Sequence, residues 1–92
     1  MKEFLIKNAA VYQNGAFAPG DVLCRDGVIA AIGQNLNASA NAEIFDCGGK
    51  QLVPGFIDAH THGAAGVDVN AATAQELTKI ARFFATQGTT AW

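Results

Sequence analysis

The sequence predicts a mixed β and α/β chain. A small antiparallel, sandwich-like β-subdomain spans 1–52, and a single strand–helix–strand step fills 53–92. Three observations predict this. Short β-type runs punctuated by Asn-Gly and Asp-Gly pairs occupy the first half, a helix-period segment with a start signal and a stop signal occupies the second, and a mostly apolar run precedes that helix. Half of the 92 residues are hydrophobic, which is ample for a core.

Phe4-Leu5-Ile6 and Ala10-Val11-Tyr12 read as strands, and Asn14-Gly15 is a two-residue hairpin signal. Asp21 to Arg25 and Val28 to Ile32 then face each other across Asp26-Gly27, a second hairpin of the same type. Gln34 to Asn41 is polar and reads as a loop, and Glu43-Ile44-Phe45-Asp46 is a further short strand before Gly48-Gly49. Gln51-Leu52-Val53 leads through Pro54-Gly55 into Phe56-Ile57-Asp58-Ala59-His60, the apolar run expected of a strand in a parallel sheet. A Gly-rich loop follows, Gly63-Ala64-Ala65-Gly66. Thr73 and Glu76 fit the two ends of a capping box. Leu77, Ile80, Ala81 and Phe84 fall on one helix face, which leaves Glu76 and Lys79 toward solvent. Gly88 stands where a glycine ends a helix, and Thr89 to Trp92 resumes β character.

Charge and composition exclude several classes of function. Six Lys and Arg against eight Asp and Glu, a formal net charge of −2, exclude a basic nucleic-acid-binding surface. No run approaches the ~18 consecutive apolar residues of a membrane span, and Lys7 and Asn8 interrupt the first apolar stretch before it could act as a signal peptide. Cys24 and Cys47 have neither metal-site spacing nor the density of a disulfide scaffold, and read as small core residues in a reduced, cytoplasmic setting.

The chemistry concentrates at His60 and His62, the two histidines of the chain. On a strand, residues two apart point to one face, so both imidazoles can reach one cation, and neutral imidazole suits Zn²⁺ and other transition metals. A solvated or hydrogen-bonded pair leaving a strand is the alternative. Their location favours a metal, because the C-terminal ends of strands in α/β folds carry active sites. Asp58, on the same alternation, either orients a ligand imidazole or caps the strand. Gly63 and Gly66 either let backbone amides approach a substrate anion or make an ordinary turn. Asp68 either caps that loop or faces solvent.

The string Val53-Pro54-Gly55-Phe56-Ile57-Asp58-Ala59-His60-Thr61-His62 resembles the opening metal motif of the amidohydrolase superfamily, whose members are (β/α)₈ metallohydrolases. The β-rich stretch before it is similar to the small subdomain that precedes their barrel. The loop His62 to Asp68, with the helix and Gly88-Thr89-Thr90 after it, looks most like the N-acetylglucosamine-6-phosphate deacetylase family. That resemblance implies an N-terminal fragment: the first strand and helix of a truncated barrel, followed by the start of its second strand. It further implies a divalent metal, Zn²⁺ first and Fe²⁺ or another transition metal next, held in part by His60 and His62. The implied reaction is metal-assisted amide hydrolysis of an amino-sugar phosphate, with dihydroorotase-type chemistry on a cyclic amide, or a non-catalytic β-rich module, as alternatives. No catalytic residue is identifiable in this chain, since the general-base Asp is expected downstream. The fragment alone is therefore expected to be inactive and prone to associate, and the full-length protein to be a homo-oligomer acting on a small molecule, with no nucleic-acid or membrane partner.

Overall fold

The computed structural model describes residues 2–92, which fall into two compact units, 2–53 and 54–92. In the first, β1 (Glu3–Gln13), β2 (Ala16–Arg25), β3 (Val28–Gly33), β4 (Glu43–Asp46) and β5 (Gln51–Leu52) form one sheet, ordered β3-β2-β1-β4 with β5 also paired to β1. Both predicted hairpins form. Asn14 and Gly15 have φ of 52° and 82°, and Asp26 and Gly27 of 51° and 84°, the two positive values that a type I′ turn demands.

Three features differ from the sequence expectation. The two predicted runs at Phe4 and Ala10 are one strand, which continues through a register shift between Ile6 and Ala9 where Asn8 takes a φ of 56°. Asn is among the few residues that tolerate this left-handed backbone. The sheet is mixed rather than antiparallel, since β4 and β5 both run parallel to β1. They occupy successive stretches of the same β1 edge, and the turn between them is stitched to β1 by Cys47 N–H to the Lys7 carbonyl (2.8 Å), Gly49 N–H to that of Asn8 (2.7 Å) and Ala10 N–H to that of Lys50 (2.9 Å). Finally, the unit is a single sheet and not a sandwich among the described residues. Alternation of apolar and polar residues fixes which side chains share a face, but it is blind to strand direction.

The core of this unit is Ala9, Val11 and Val22, with Ile6, Cys24, Cys47 and Leu52 packed against it. The cysteines thus take the small-apolar role expected of them, and both are free thiols. Leu5 (3% exposed) and Leu23 (6%) pair across the opposite face.

In the second unit, β6 (Phe56–Ile57) pairs in parallel with β9 (Thr89–Ala91), and α1 (Ala74–Thr86) connects them. Phe56 N–H donates to the Gly88 carbonyl and Asp58 N–H to that of Ala91, both at 2.8 Å. The capping box forms: Glu76 N–H donates to Thr73 Oγ1 at 3.2 Å while the Glu76 carboxylate reaches back to Thr73 N–H. Ile80 is fully buried and Phe84 is buried, on the face that the helical period predicts. Leu77 is half-buried, whereas Ala81 on the same stripe is exposed. Lys79 is exposed as expected, while Glu76 is half-buried by its capping role. Trp92 remains partly exposed, with its ring 5.4 Å from that of Phe84.

Candidate metal centre

The strand that carries the site is shorter than the sequence suggested. β6 ends at Ile57, so His60 and His62 lie on an irregular segment beyond it and not on the strand itself. The chain leaves β6 through a turn in which Asp58 Oδ1 accepts the backbone N–H of His60 at 3.1 Å. That turn chemistry, a carboxylate bonding the amide two residues on, competes with continued strand pairing and is why the apolar run overestimates the strand. The hydrogen bond Asp58 makes is therefore to backbone, not to an imidazole.

The two imidazoles nonetheless converge. Their Nε2 atoms are 3.2 Å apart, their ring centroids 4.9 Å, with the planes at 79°. At this separation one ring can donate an N–H to the other, the tautomers deciding which. The same distance suits a shared cation. Zn–N bonds of about 2.0–2.1 Å at a tetrahedral angle set two ligand nitrogens about 3.3 Å apart. Both side chains are exposed, so a cation has access to them. The pair thus fits two positions of a tetrahedral or larger coordination shell. Among the described residues, no cluster of three or more His, Cys, Asp or Glu side chains stands ready to complete one.

The segment after His62 is held by short-range bonds. Thr61 Oγ1 accepts the N–H of Gly63 at 3.2 Å, and Val69 N–H donates to the His62 carbonyl at 2.8 Å. The predicted Gly-rich loop is a small hairpin, β7 (Gly63–Ala64) against β8 (Val67–Asp68), turning at Ala65 and Gly66, which accords with the turn alternative. Gly63 has a φ of 152°, and a Cβ there would overlap the Val67 carbonyl, so its glycine serves the hairpin. Gly66, with φ of 81° beside Ala65 at 52°, serves the turn. Asp68 caps: its Oδ1 accepts Asn70 N–H at 3.0 Å and starts a 3₁₀ helix, Val69–Ala71, that sequence reasoning missed. Thr61, also missed, fixes the entry to the hairpin next to both histidines; the Thr-x-Gly spacing was its available signal.

No protein-family model matches the chain. It is 47% identical over 58 residues to a dihydroorotase from Lactobacillus leichmannii, covering 63% of this chain and 13% of that protein. It is 40% identical over 67 residues to an N-acetylglucosamine-6-phosphate deacetylase from Vibrio furnissii, covering 73% and 16%. Among solved structures, a D-hydantoinase (dihydropyrimidinase) from Thermus sp. superposes with a TM-score of 0.60 at 36% identity, covering 70% of this chain and 14% of that one. The relatives and structural neighbours are amidohydrolase-family proteins. The chain spans only 13% to 16% of the length of these three proteins.

Among the described residues, no helix is long and apolar enough to cross a membrane.

Proposed function

We propose that this chain is the N-terminal part of a metal-dependent amidohydrolase, and that β6, α1 and β9 begin its (β/α)₈ barrel. The observation that carries the reading is the His60–His62 pair, with Nε2 atoms 3.2 Å apart just beyond the C-terminal end of a strand in a parallel βαβ step. His60 and His62 would hold the ion, Zn²⁺ or another divalent transition metal. When bound, such an ion lowers the pKa of water and polarises an acyl oxygen. His60 is set in position by the Asp58 turn, and His62 by the Val69 N–H that its carbonyl accepts. Further ligands and the Asp that moves the proton belong to later strands, so the 92 residues alone are inactive.

For the substrate, deacetylation of N-acetylglucosamine 6-phosphate is favoured by the breadth of the deacetylase match, 73% of the chain. A second reading, hydrolysis of a cyclic amide such as dihydroorotate, is favoured by the higher identity of the dihydroorotase match, 47%. A cytoplasmic setting accords with the two free cysteines. Association is supported by exposed apolar side chains at Phe56 (60%) and Ile57 (75%), and we take the full-length protein to be a homo-oligomer.

The test is a paired assay of the full-length gene product. Acetate release from N-acetylglucosamine 6-phosphate supports the first reading, and turnover of dihydroorotate without acetate release supports the second. Failure on both substrates, with metal bound, overturns the assignment to this chemistry.

A further inference from the structure

The connection between β3 and β4, Gln34–Ala42, has an unusual course. β3 and β4 lie at opposite edges of the row β3-β2-β1-β4 and run in the same direction, because two antiparallel pairings and one parallel pairing separate them. The chain must therefore cross β2 and β1 over one face of the sheet. Three strand spacings are about 14 Å. Nine extended residues reach about 30 Å, enough to cross and to run back along the strands. Such crossings usually employ a helix of a dozen residues or more; this one is a bare, polar strap.

The face it crosses is identified by four residues. Glu3 and Leu5 alternate onto one side of β1, and Asp21 and Leu23 onto the same side of β2, with Leu5 registered opposite Leu23. All four are buried, the two carboxylates included (Glu3 7% exposed, Asp21 5%). Each carboxylate ties the sheet with one oxygen and the strap with the other. Glu3 Oε2 accepts from Arg25 Nε at 2.8 Å, and Oε1 accepts Ser39 N–H at 2.6 Å. Asp21 Oδ1 accepts Asn8 N–H at 3.0 Å, and Oδ2 accepts Leu36 N–H at 3.1 Å. The strap is thus fastened at two points, with Leu36 and Ala38 half-buried between and beside them.

We propose that the Gln34–Ala42 connection is an acid-released strap: Glu3 holds its Ser39 end by a charged acceptor, and protonation of that carboxyl frees it and uncovers Leu5 and Leu23. A carboxylate accepts N–H bonds more strongly than the neutral acid, which presents a hydroxyl that must itself be satisfied. Consistent with the geometry, the Ser39 N–H first and the Arg25 guanidinium second hold the Glu3 carboxyl below its ordinary value of 4.5. A depressed carboxyl stabilises the fastened state above the ordinary value, and the contribution is lost as pH falls through the folded value, so release lies below pH 4.5. The charged groups around Glu3 are Arg25 in its ion pair and Lys2 and Glu43 along the adjoining groove. The groove beside Asp21 is lined by Asn8, Pro19, Gly20, Gln34 and Asn35, with no other titratable side chain among the described residues, and Asn8 Nδ2 donates to Asp46 Oδ2 at 3.3 Å. Asp21 is the strap's second anchor, at Leu36, and Glu3 is the first, at Ser39.

Amide hydrogen exchange, expressed as protection factors, tests this at pH 6.5 and pH 3.5. In the unmodified chain, protection at Ser39 should fall at least tenfold relative to Leu5 on acidification, with binding of a hydrophobic dye rising in parallel. In Glu3→Gln, Ser39 should already be poorly protected at pH 6.5 and change little at pH 3.5. Should Glu3→Gln not fold, Ser39→Pro removes the strap's donor without touching the sheet and should give the same dye binding at pH 6.5. Loss of protection at Ser39 and Leu5 together, or wild-type behaviour in the folded variants, would overturn the proposal.

Discussion

At the residue scale the site depends on a few atoms whose roles are separable. His60 and His62 present their Nε2 atoms to one point, and replacing either leaves one imidazole, which binds a divalent ion far more weakly than two. Gly63 is a sharper test of the local backbone. Its Cβ would meet a main-chain carbonyl, which cannot move aside as a flexible side chain can. Gly63→Ala should therefore destabilise the second unit by roughly 1–3 kcal/mol in urea titration, and should disturb the spacing of the neighbouring histidines. The pair was legible in the sequence as a spacing, but the reason it converges was not. Alternation on a strand suggested one shared face, whereas the imidazoles meet because the Asp58 turn folds the chain after Ile57. Glu3 and Asp21 were invisible at this scale. An acidic residue inside a short β run gives no sign that its carboxylate will be buried under a loop from elsewhere in the chain.

At the element scale, α1 was the most legible part. Its capping residues, its apolar stripe and its terminal glycine all act within a few residues of one another, which is the range over which sequence patterns carry information. Thr73→Ala removes an acceptor that the Glu76 N–H needs and should cost about 1 kcal/mol, seen as a lower urea midpoint of the second unit. Ile80, fully buried, should cost about 2–5 kcal/mol on truncation to Ala, with the helix signal in circular dichroism lost at correspondingly lower temperature. The hairpins of the first unit were legible for the same reason of locality. The placement of β4 and β5 on β1 was not, because each pairs with residues roughly forty positions away.

At the scale of the whole molecule, two depressed carboxyls set the acid limit. Glu3 is held down by the Ser39 N–H and Arg25, and Asp46 by the Gly48 N–H first and the Asn8 side-chain amide second. Both contributions are present above the ordinary values of 4.5 and 3.8 and are lost as pH falls through the lower folded ones. Urea midpoints of the first unit should accordingly be flat from pH 7 to about 5 and decline below 4.5, and Glu3→Gln should flatten part of that decline. The proposed function also belongs to this scale: on that proposal, the two imidazoles and the βαβ step would open a (β/α)₈ barrel.

The most direct test of that reading is a Zn²⁺ titration followed by NMR at the imidazole nitrogens of His60 and His62. One weakly bound ion per chain should shift both Nε2 resonances together, with the response abolished in His60→Ala and in His62→Ala. A titration in which neither ring responds, or in which one responds and its partner does not, would contradict a shared metal centre.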